Sequence, residues 1–437
     1  MKKLLTLVLM LALVCTSALA YSPEEPITIA FWHTRGSGAN YEALTYLVNA
    51  FNEGPGKELG IIVEESYIGD YTAVKTKCQL TTQTGEQPVL AIMGCAHYQQ
   101  LLEDDLLVNM YDYAANDPDF DINNILDCFV GTIGNEFDQG NFHNAPYIRS
   151  TPILYYNKTL ADAKGLTLSH TPTIDEWVDF ARAMTEKDET GETTRYGMTI
   201  LGNYSYIGFA FTRQLGAPLF ADDCTGSPAA ESGVLLKNLS DWASWKAEGI
   251  YRPQDPTGTA FSMELLYQGK LASLVTSSGS CGNISKNMAG AGYELGVACY
   301  PTYDLNNNST EIGGGNLAMI SKGNTEEQLK AGWEFIKFSL TDEMVYNESI
   351  TSGYVPVTKS IANYQPMVDF WAANPHFKVS YDQFSWGVCQ EFPYWEGMSE
   401  GLAVINEQYS YLIQEGSITP EEAVQQFILQ TDGVWAE

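Results

Sequence analysis

Four short loops contain most of the residues in this chain that could form a ligand site. They read RSTP at 149–152, SSGS at 277–280, GGG at 313–315 and SGYVP at 352–356. Each loop adjoins a predicted strand or helix, and ligands in open α/β sheets bind beyond the carboxyl ends of strands. Free backbone N–H groups in Ser/Gly loops suit oxyanions. One such loop is usually only a turn, but four together predict a binding cleft.

The sequence lacks the common catalytic motifs. It has no H-E-x-x-H, no G-x-S-x-G and no phosphate-binding P-loop, and its five histidines have no metal-ligand spacing. The D-x-D-x-D run at 117–121 has Ile122 and Cys128 where a calcium loop needs Gly and Glu. We therefore predict a protein without enzyme activity, metal or cofactor.

The elements that would position these loops alternate between strand and helix. Helices are predicted from apolar residues spaced i, i+3, i+4 and i+7, as in 44–51, and from threonine caps at Thr173 and Thr419, and a further helix is predicted over 325–340. Predicted strands are the β-rich or apolar runs at 27–32, 61–67, 89–93, 153–156, 271–275, 295–300 and 317–320. This alternation is typical of an α/β protein with mainly parallel sheets.

Composition and charge exclude several classes of partner. The chain has 437 residues with 54 acidic and 23 basic side chains, a net charge of −31, and it is 12% aromatic. So many aromatic residues argue against disorder, and the length favours two domains. No basic stripe is present to neutralise nucleic-acid phosphates or to bind an anionic membrane face. The global charge does not identify a ligand, because a local site can oppose it.

The N-terminus predicts export. Lys2 and Lys3 precede an apolar run at 4–15 and a small-residue cleavage site ending at Ala20, which indicates a signal peptide over 1–20. Twelve apolar residues are too few to span a bilayer. Val14 before Cys15 disfavours lipidation and leaves a lipid anchor as the lesser alternative. The cysteines beyond the leader are odd in number with no C-x-x-C pair, so we expect mostly buried thiols.

Five segments resemble the family of extracellular solute-binding proteins of ABC importers, and within it the members that bind glycerol 3-phosphate. The segments are FWH at 31–33, STPILYYNK at 150–158, SSGS at 277–280 with Asn283 and Ile284, IGG at 312–314 and GYVPVTK at 353–359. They follow the family's order through most of the mature chain. This order is specific for the fold and less specific for the ligand.

The resemblance implies a two-lobed periplasmic-binding-protein-like fold with discontinuous lobes joined by a hinge. Hinge crossings are expected near 146–150, 300–304 and 358–362. The first lobe would then comprise 21–147 plus 303–358, and the second lobe 148–302 plus 359–437.

The resemblance also implies where a ligand binds. Five positions match family residues that contact the ligand, namely Tyr71, Ser150, Ser277, Gly314 and Tyr354. All five offer neutral donors, which suit phosphate or sugar oxygens.

Three departures from the family pattern concern the ligand. Cys95 stands where the family has a glutamate, and the stretch around Cys389 lacks the family's phosphate-binding arginine. Tyr204 and Tyr206 replace two stacking tryptophans. Because an Arg–phosphate contact is a strong charge-assisted interaction, another cation should replace it. Arg149 and Arg35 are the two candidates from the sequence.

Four functions remain open at this point. The first is capture of glycerol 3-phosphate or a glycerophosphodiester by lobe closure, as an exported monomer that serves ABC permease subunits. The second keeps the class but binds a neutral sugar or oligosaccharide stacked on Tyr204, Tyr206, Trp32 or Trp386. A secreted glycan hydrolase is a remote third and would need two carboxylates about 5–9.5 Å apart. An exported protein with only an interaction role is the fourth.

Overall fold

The computed structural model describes residues 21–94, 97–130, 132, 134–202, 208–221, 223–254, 260–385, 389–390 and 398–435. The predicted signal peptide lies outside these residues. The same holds for the predicted site residues Cys95, Tyr204, Tyr206 and Trp386, and for the side chain of Cys389. None of the helices in the described ranges combines the length and apolarity that a membrane crossing requires.

Thirteen strands are described. They are β1 (Ile27–His33), β2 (Ile61–Tyr67), β3 (Leu90–Gly94), β4 (Ala145–Ser150), β5 (Pro152–Asn157), β6 (Glu186–Lys187), β7 (Thr193–Arg195), β8 (Thr199–Ile200), β9 (Ser273–Ser277), β10 (Leu295–Ala298), β11 (Thr310–Glu311), β12 (Gly313–Met319) and β13 (Cys389–Gln390). The prediction of a strand over 61–67 is confirmed with the same bounds, and the other six predicted strands each overlap an observed one.

Helices separate these strands along the chain. The α-helices of the described residues are Gly38–Glu53, Pro55–Leu59, Tyr71–Thr81, Tyr98–Glu103, Tyr111–Asn116, Lys158–Ala163, Ile174–Met184, Phe209–Gln214, Pro228–Glu231, Val234–Glu248, Ala260–Tyr267, Cys281–Gly290, Glu326–Ser339, Asp342–Ser352, Gln365–Ala373, Val379–Ser385, Met398–Tyr409 and Pro420–Thr431. A π-helical segment, Ser410–Glu415, extends the helix before it.

The larger sheet has five strands in the order β2-β1-β3-β12-β4, and the second has four in the order β10-β5-β9-β8. We call the parts built on these sheets the first and second lobe. β1 is parallel to β2 and β3, whereas β12 is antiparallel to both β3 and β4. In the second sheet β5 is antiparallel to β10 and β9. The prediction of mainly parallel sheets is therefore wrong. β12 joins the first sheet after the chain has returned from the second, and it runs antiparallel to both of its neighbours.

Each lobe has its own hydrophobic core. In the first lobe the helix Gly38–Glu53 packs its buried face, which includes Leu44, Leu47, Val48 and Phe51, beside β1 and β2. The periodicity at 44–51 predicts this face, and the prediction is confirmed. In the second lobe Trp177 is fully buried, and its indole N–H donates to the hydroxyl of Ser273 at 3.0 Å. A buried indole N–H usually has such a partner.

The chain passes from one sheet to the other at Thr151, which separates β4 from β5. The Ser278 N–H donates to the Thr151 carbonyl at 2.8 Å, so the second lobe is hydrogen-bonded to this crossing. Further along the chain, Ile361, Met367 and Trp371 lie in the core of the first lobe. The lobe limits expected from the sequence remain a prediction.

Helix caps give a direct test of local stability. Thr325 caps the helix Glu326–Ser339 with a reciprocal pair of bonds to Gln328, whereas Ser37 precedes the helix Gly38–Glu53 without a side-chain cap bond. We expect Thr325→Ala to lower the free energy of unfolding by about 1 kcal/mol, because an amide loses its partner. Ser37→Ala, the matched control, should leave it nearly unchanged. Urea unfolding of both variants measures the difference, and equal losses would contradict the assignment of the cap.

Candidate functional site

Strands β4 and β12 meet side by side at the crossing between the lobes. Their register pairs Gly313 with Ser150 and Gly314 with Arg149. Ser150 is the last residue of β4 and is buried. The Thr151 N–H donates to the Ser278 hydroxyl at 3.3 Å. Two predicted ligand residues, Ser150 and Gly314, are thus held at the crossing beside the SSGS loop of the second lobe.

Gly314 is a position that only glycine can occupy. Its φ is +90°, and a Cβ added there would lie 1.8 Å from the carbonyl oxygen of Ile148. L-residues with a side chain rarely adopt this φ, and the clash is with backbone rather than with a flexible side chain. The glycine therefore permits the close approach of β12 to β4.

Tyr71 lies against Gly94 and Gly315, which pair with each other across β3 and β12. A Cβ on Gly94 or on Gly315 would come within 2.8 or 2.9 Å of the tyrosine ring. Tyr71 begins the helix Tyr71–Thr81, whose cap Asp70 accepts a bond from the third helical N–H at 2.8 Å. The ring also stacks with His97 at 6.2 Å between centroids. Gly94 and Gly315 make room for a tyrosine at the carboxyl end of β3, next to Gly314.

Tyr354 lies on the loop that follows the helix Asp342–Ser352, and this loop is bonded to β4. The N–H of the next residue, Val355, donates to the carbonyl of Arg149 at 2.8 Å. A Cβ on Gly279 would lie 2.7 Å from the Tyr354 ring, so the ring packs on the SSGS loop. Ser277 starts that loop, and its hydroxyl accepts a bond from the Gly279 N–H at 3.3 Å. Burial raises the pKa of Tyr354, which keeps its hydroxyl protonated as a neutral donor.

The five predicted ligand positions are therefore brought together around Thr151. Their roles as ligand contacts remain a prediction, because proximity alone does not show binding. The arrangement supplies hydroxyls and backbone N–H groups and can bind oxygens without reacting with them. Within the described residues, no group of three or more His, Cys, Asp or Glu side chains could hold a metal.

Arg35 already has a carboxylate partner. Its two terminal nitrogens donate to the two oxygens of Glu348 at 2.8 Å each, and the guanidinium is 4% exposed. Glu348 also accepts from the hydroxyls of Tyr147, at 3.0 Å, and Ser352, at 2.7 Å. The guanidinium lies 5.1 Å from the centre of the Tyr354 ring. Glu348 therefore holds the Arg35 guanidinium against the ring of Tyr354.

Arg149 and Trp32 are also packed inside the first lobe. Arg149 donates to the side-chain oxygen of Asn316 at 2.9 Å, and its guanidinium lies 5.1 Å from the Phe129 ring centre. Trp32 is 7% exposed, with the ammonium of Lys77 at 4.2 Å from its ring centre. As they stand, neither side chain offers an open surface to a ligand. Whether either binds one remains a prediction.

A contact between the lobes escaped the sequence analysis. A Cβ on Gly282 would lie 2.1 Å from the Thr351 carbonyl oxygen, and one on Gly353 would lie 2.5 Å from Cβ of Cys281. Together with Gly279 we call this the glycine contact. Beside it the Asn283 side chain accepts a bond from the Ala39 N–H at 3.2 Å, at the start of the helix Gly38–Glu53. The glycines of the segments S-S-G-S-C-G and S-G-Y were the sequence signal that could have predicted this contact.

Gly314→Ala tests the close approach of β4 and β12. We expect the free energy of unfolding to fall by at least about 4 kcal/mol, because the added methyl must separate two paired strands. Gly165→Ala is the matched control, since Gly165 also has a positive φ, +69°, but no neighbour within 4 Å of the added carbon. It should cost about 1–2 kcal/mol from backbone strain alone. Equal losses in denaturant unfolding would contradict the clash.

Glu348→Ala tests the buried pair. It leaves the Arg35 charge buried without its carboxylate, and we expect a loss of about 3–5 kcal/mol in the free energy of unfolding. Glu248→Ala removes a carboxylate from the exposed pair with Arg182, at 2.6 Å, and should cost at most about 1 kcal/mol. Thermal and urea unfolding of both variants decides the comparison.

Known proteins resemble this chain over most of its length. The family model for bacterial extracellular solute-binding proteins matches residues 46–379. The sn-glycerol-3-phosphate-binding periplasmic protein UgpB of Rhizobium meliloti is 26% identical, and the match spans 54% of each chain. UgpB of Brucella melitensis is 24% identical over 79% of this chain and 78% of its own.

Solved structures share the fold. UgpB from Mycobacterium tuberculosis in complex with glycerophosphocholine has a TM-score of 0.77 and 20% identity, covering 93% of this chain and 97% of that one. The GacH receptor of Streptomyces glaucescens, solved unliganded and with acarbose, has a TM-score of 0.74 and 17% identity over 93% and 98%. At these identities the likeness shows the fold alone, and it confirms the predicted two-lobed α/β architecture. With well over half of its length matched by the family model, the chain belongs to the bacterial extracellular solute-binding proteins.

Proposed function

We propose that this protein captures glycerol 3-phosphate or a glycerophosphodiester between its two lobes. Membership of the family makes it the solute-binding component of an ABC importer rather than an enzyme. The observation that carries the choice of ligand is the convergence of Tyr71, Ser150 and Gly314 with Ser277 and Tyr354 around the crossing at Thr151. These are the positions that match the glycerol-phosphate-binding members.

The chemistry of the site suits phosphate and glycerol oxygens. Tyrosine and serine hydroxyls donate to them, and the turn Ser278–Ser280 leads into the ten-residue helix Cys281–Gly290. Backbone N–H groups at a helix start favour anions through their partial positive charge. The names of the Rhizobium and Brucella relatives, and the ligand of the Mycobacterium structure, support the same class of ligand.

Capture would proceed by closure of the lobes on the ligand. The proposed contacts come from both lobes, with Tyr71 and Tyr354 on the first and Ser277 on the second. A ligand that contacts both lobes stabilises the closed state by its differential affinity for that state. The closed, loaded protein would then be recognised by the ABC permease subunits. We further propose that the protein is exported after loss of its leader and acts as a monomer.

A neutral sugar is the second candidate, and one observation favours it. Arg35 is bound to Glu348 through both terminal nitrogens, and Arg149 packs against Phe129 and Asn316. Neither of the two cations expected from the sequence extends from the site toward a phosphate. Neutral hydroxyl donors serve a glycan equally well. The two ligands differ in charge, so the dependence of affinity on salt separates them.

Calorimetric titration of the mature protein tests the choice. We expect binding of glycerol 3-phosphate and glycerophosphocholine, weakened by added salt, and no binding of maltose. Tyr354→Phe removes one neutral donor and should weaken the affinity about 2- to 13-fold. Tyr411→Phe is the matched control, because the Tyr411 hydroxyl bonds to the exposed Glu407 in the second lobe. Binding of maltose but of neither phosphate ligand would establish the sugar alternative.

A further inference from the structure

We propose that Arg213, held in place by Glu311, is the cation that binds the ligand's phosphate. This inference rests on the proposed function, since it concerns a phosphate ligand. It assigns to a helix of the second lobe the charge that the resembling proteins place near the position of Cys389.

The Arg213–Glu311 pair lies beside β13, the strand near which the family resemblance places a phosphate-binding arginine. β11 runs parallel to β13, with Thr310 opposite Cys389 and Glu311 opposite Gln390. One terminal nitrogen of Arg213 donates to Glu311 at 2.9 Å. Glu311, the partner of Arg213, therefore lies on the strand that pairs with β13.

The same pair adjoins the predicted ligand loops. Glu311 precedes Gly313 by two residues, and Gly313 pairs with Ser150 in the sheet register. The Thr310 hydroxyl lies 3.3 Å from that of Thr151, the crossing residue. The Arg213 side chain is 10% exposed, whereas that of Glu311 is fully buried.

The Arg213 side chain extends toward the start of its own helix. Its guanidinium lies 4.6 Å from the centre of the Phe209 ring, one turn earlier in the helix Phe209–Gln214.

Glu311 leaves Arg213 available for an anion. The carboxylate is fully buried, one oxygen accepts from Arg213, and the other has no hydrogen-bond partner. Burial raises the pKa of Glu311 to about 7, although Arg213 acts in the opposite direction. Among the described residues, Arg213 is the charged group that shifts the pKa of Glu311. Because its pKa lies near neutrality, the Glu311 carboxyl can release Arg213 by taking up a proton, and a phosphate can then bind the guanidinium through two oxygens.

The Arg213–Glu311 pair determines how the affinity for a phosphate ligand depends on pH. An incoming phosphate adds negative charge near Glu311 and raises the pKa of Glu311 further. Below pH 7 the carboxyl is already neutral and Arg213 is free to bind phosphate. Above pH 7 it is ionised, competes for Arg213 and must take up a proton when the ligand binds. Affinity should therefore fall as the pH rises from 6 to 8.

Glycerophosphocholine is the probe, because its phosphodiester does not titrate between pH 6 and 8. We expect Arg213→Ala to weaken its binding tenfold or more, as the loss of a charged hydrogen bond implies. Glu311→Gln should bind more tightly than the unmodified protein at pH 8 and lose the pH dependence. Arg182→Ala, at the exposed pair with Glu248, is the control and should change nothing.

Calorimetry in two buffers of different ionisation enthalpy measures the proton uptake at pH 7.5, which Glu311→Gln should abolish. If Arg213→Ala does not fold, Arg213→Lys keeps the charge but loses the paired donors, and it should still weaken binding severalfold. Unchanged affinity in a folded Arg213 variant, or an unchanged pH profile in Glu311→Gln, would overturn the inference while the proposed function stands. If the unmodified protein binds maltose and no phosphate ligand, both fail.

Discussion

Strands β4 and β12 approach so closely at Gly314 that no side chain fits between this residue and the carbonyl of Ile148. This approach fixes the register in which Gly313 faces Ser150 and Gly314 faces Arg149. Through the backbone of Arg149 it also places the Gly-Tyr-Val loop, because Val355 bonds to the Arg149 carbonyl. Backbone hydrogen bonds therefore fix the positions of Ser150, Gly314 and Tyr354 relative to one another.

Two buried ion pairs differ in how completely their carboxylates are hydrogen-bonded. In the first lobe Arg35 and Glu348 satisfy each other through two bonds, and the hydroxyls of Tyr147 and Ser352 complete the carboxylate. Such a saturated pair stabilises a fixed arrangement and has little capacity for another anion. In the second pair, Arg213 and Glu311, the carboxylate has one bonded and one unbonded oxygen. A pair left incomplete costs stability, and this cost is common at binding sites.

Local pattern predicted much of the fold and part of the site. The strand at 61–67 and the helix face at 44–51 follow from periodicity, which reports burial residue by residue. The gathering of the five predicted ligand residues follows from the family resemblance. Periodicity could not give the partner of Arg35, since Glu348 lies 313 residues later. Nor could periodicity predict that β12 runs antiparallel to its neighbours, because that direction depends on the path of the chain between the lobes.

The glycine contact determines where this protein could be adapted as an optical sensor. Gly279, Gly282 and Gly353 leave no space for a label where the lobes touch. Just outside, Glu42 of the first lobe and Lys286 of the second are 61% and 75% exposed, with their charged groups 3.8 Å apart. Under the proposed closure, fluorophores at these two surface positions would be close when the lobes meet and separate when they part, so energy transfer between them would then report occupancy.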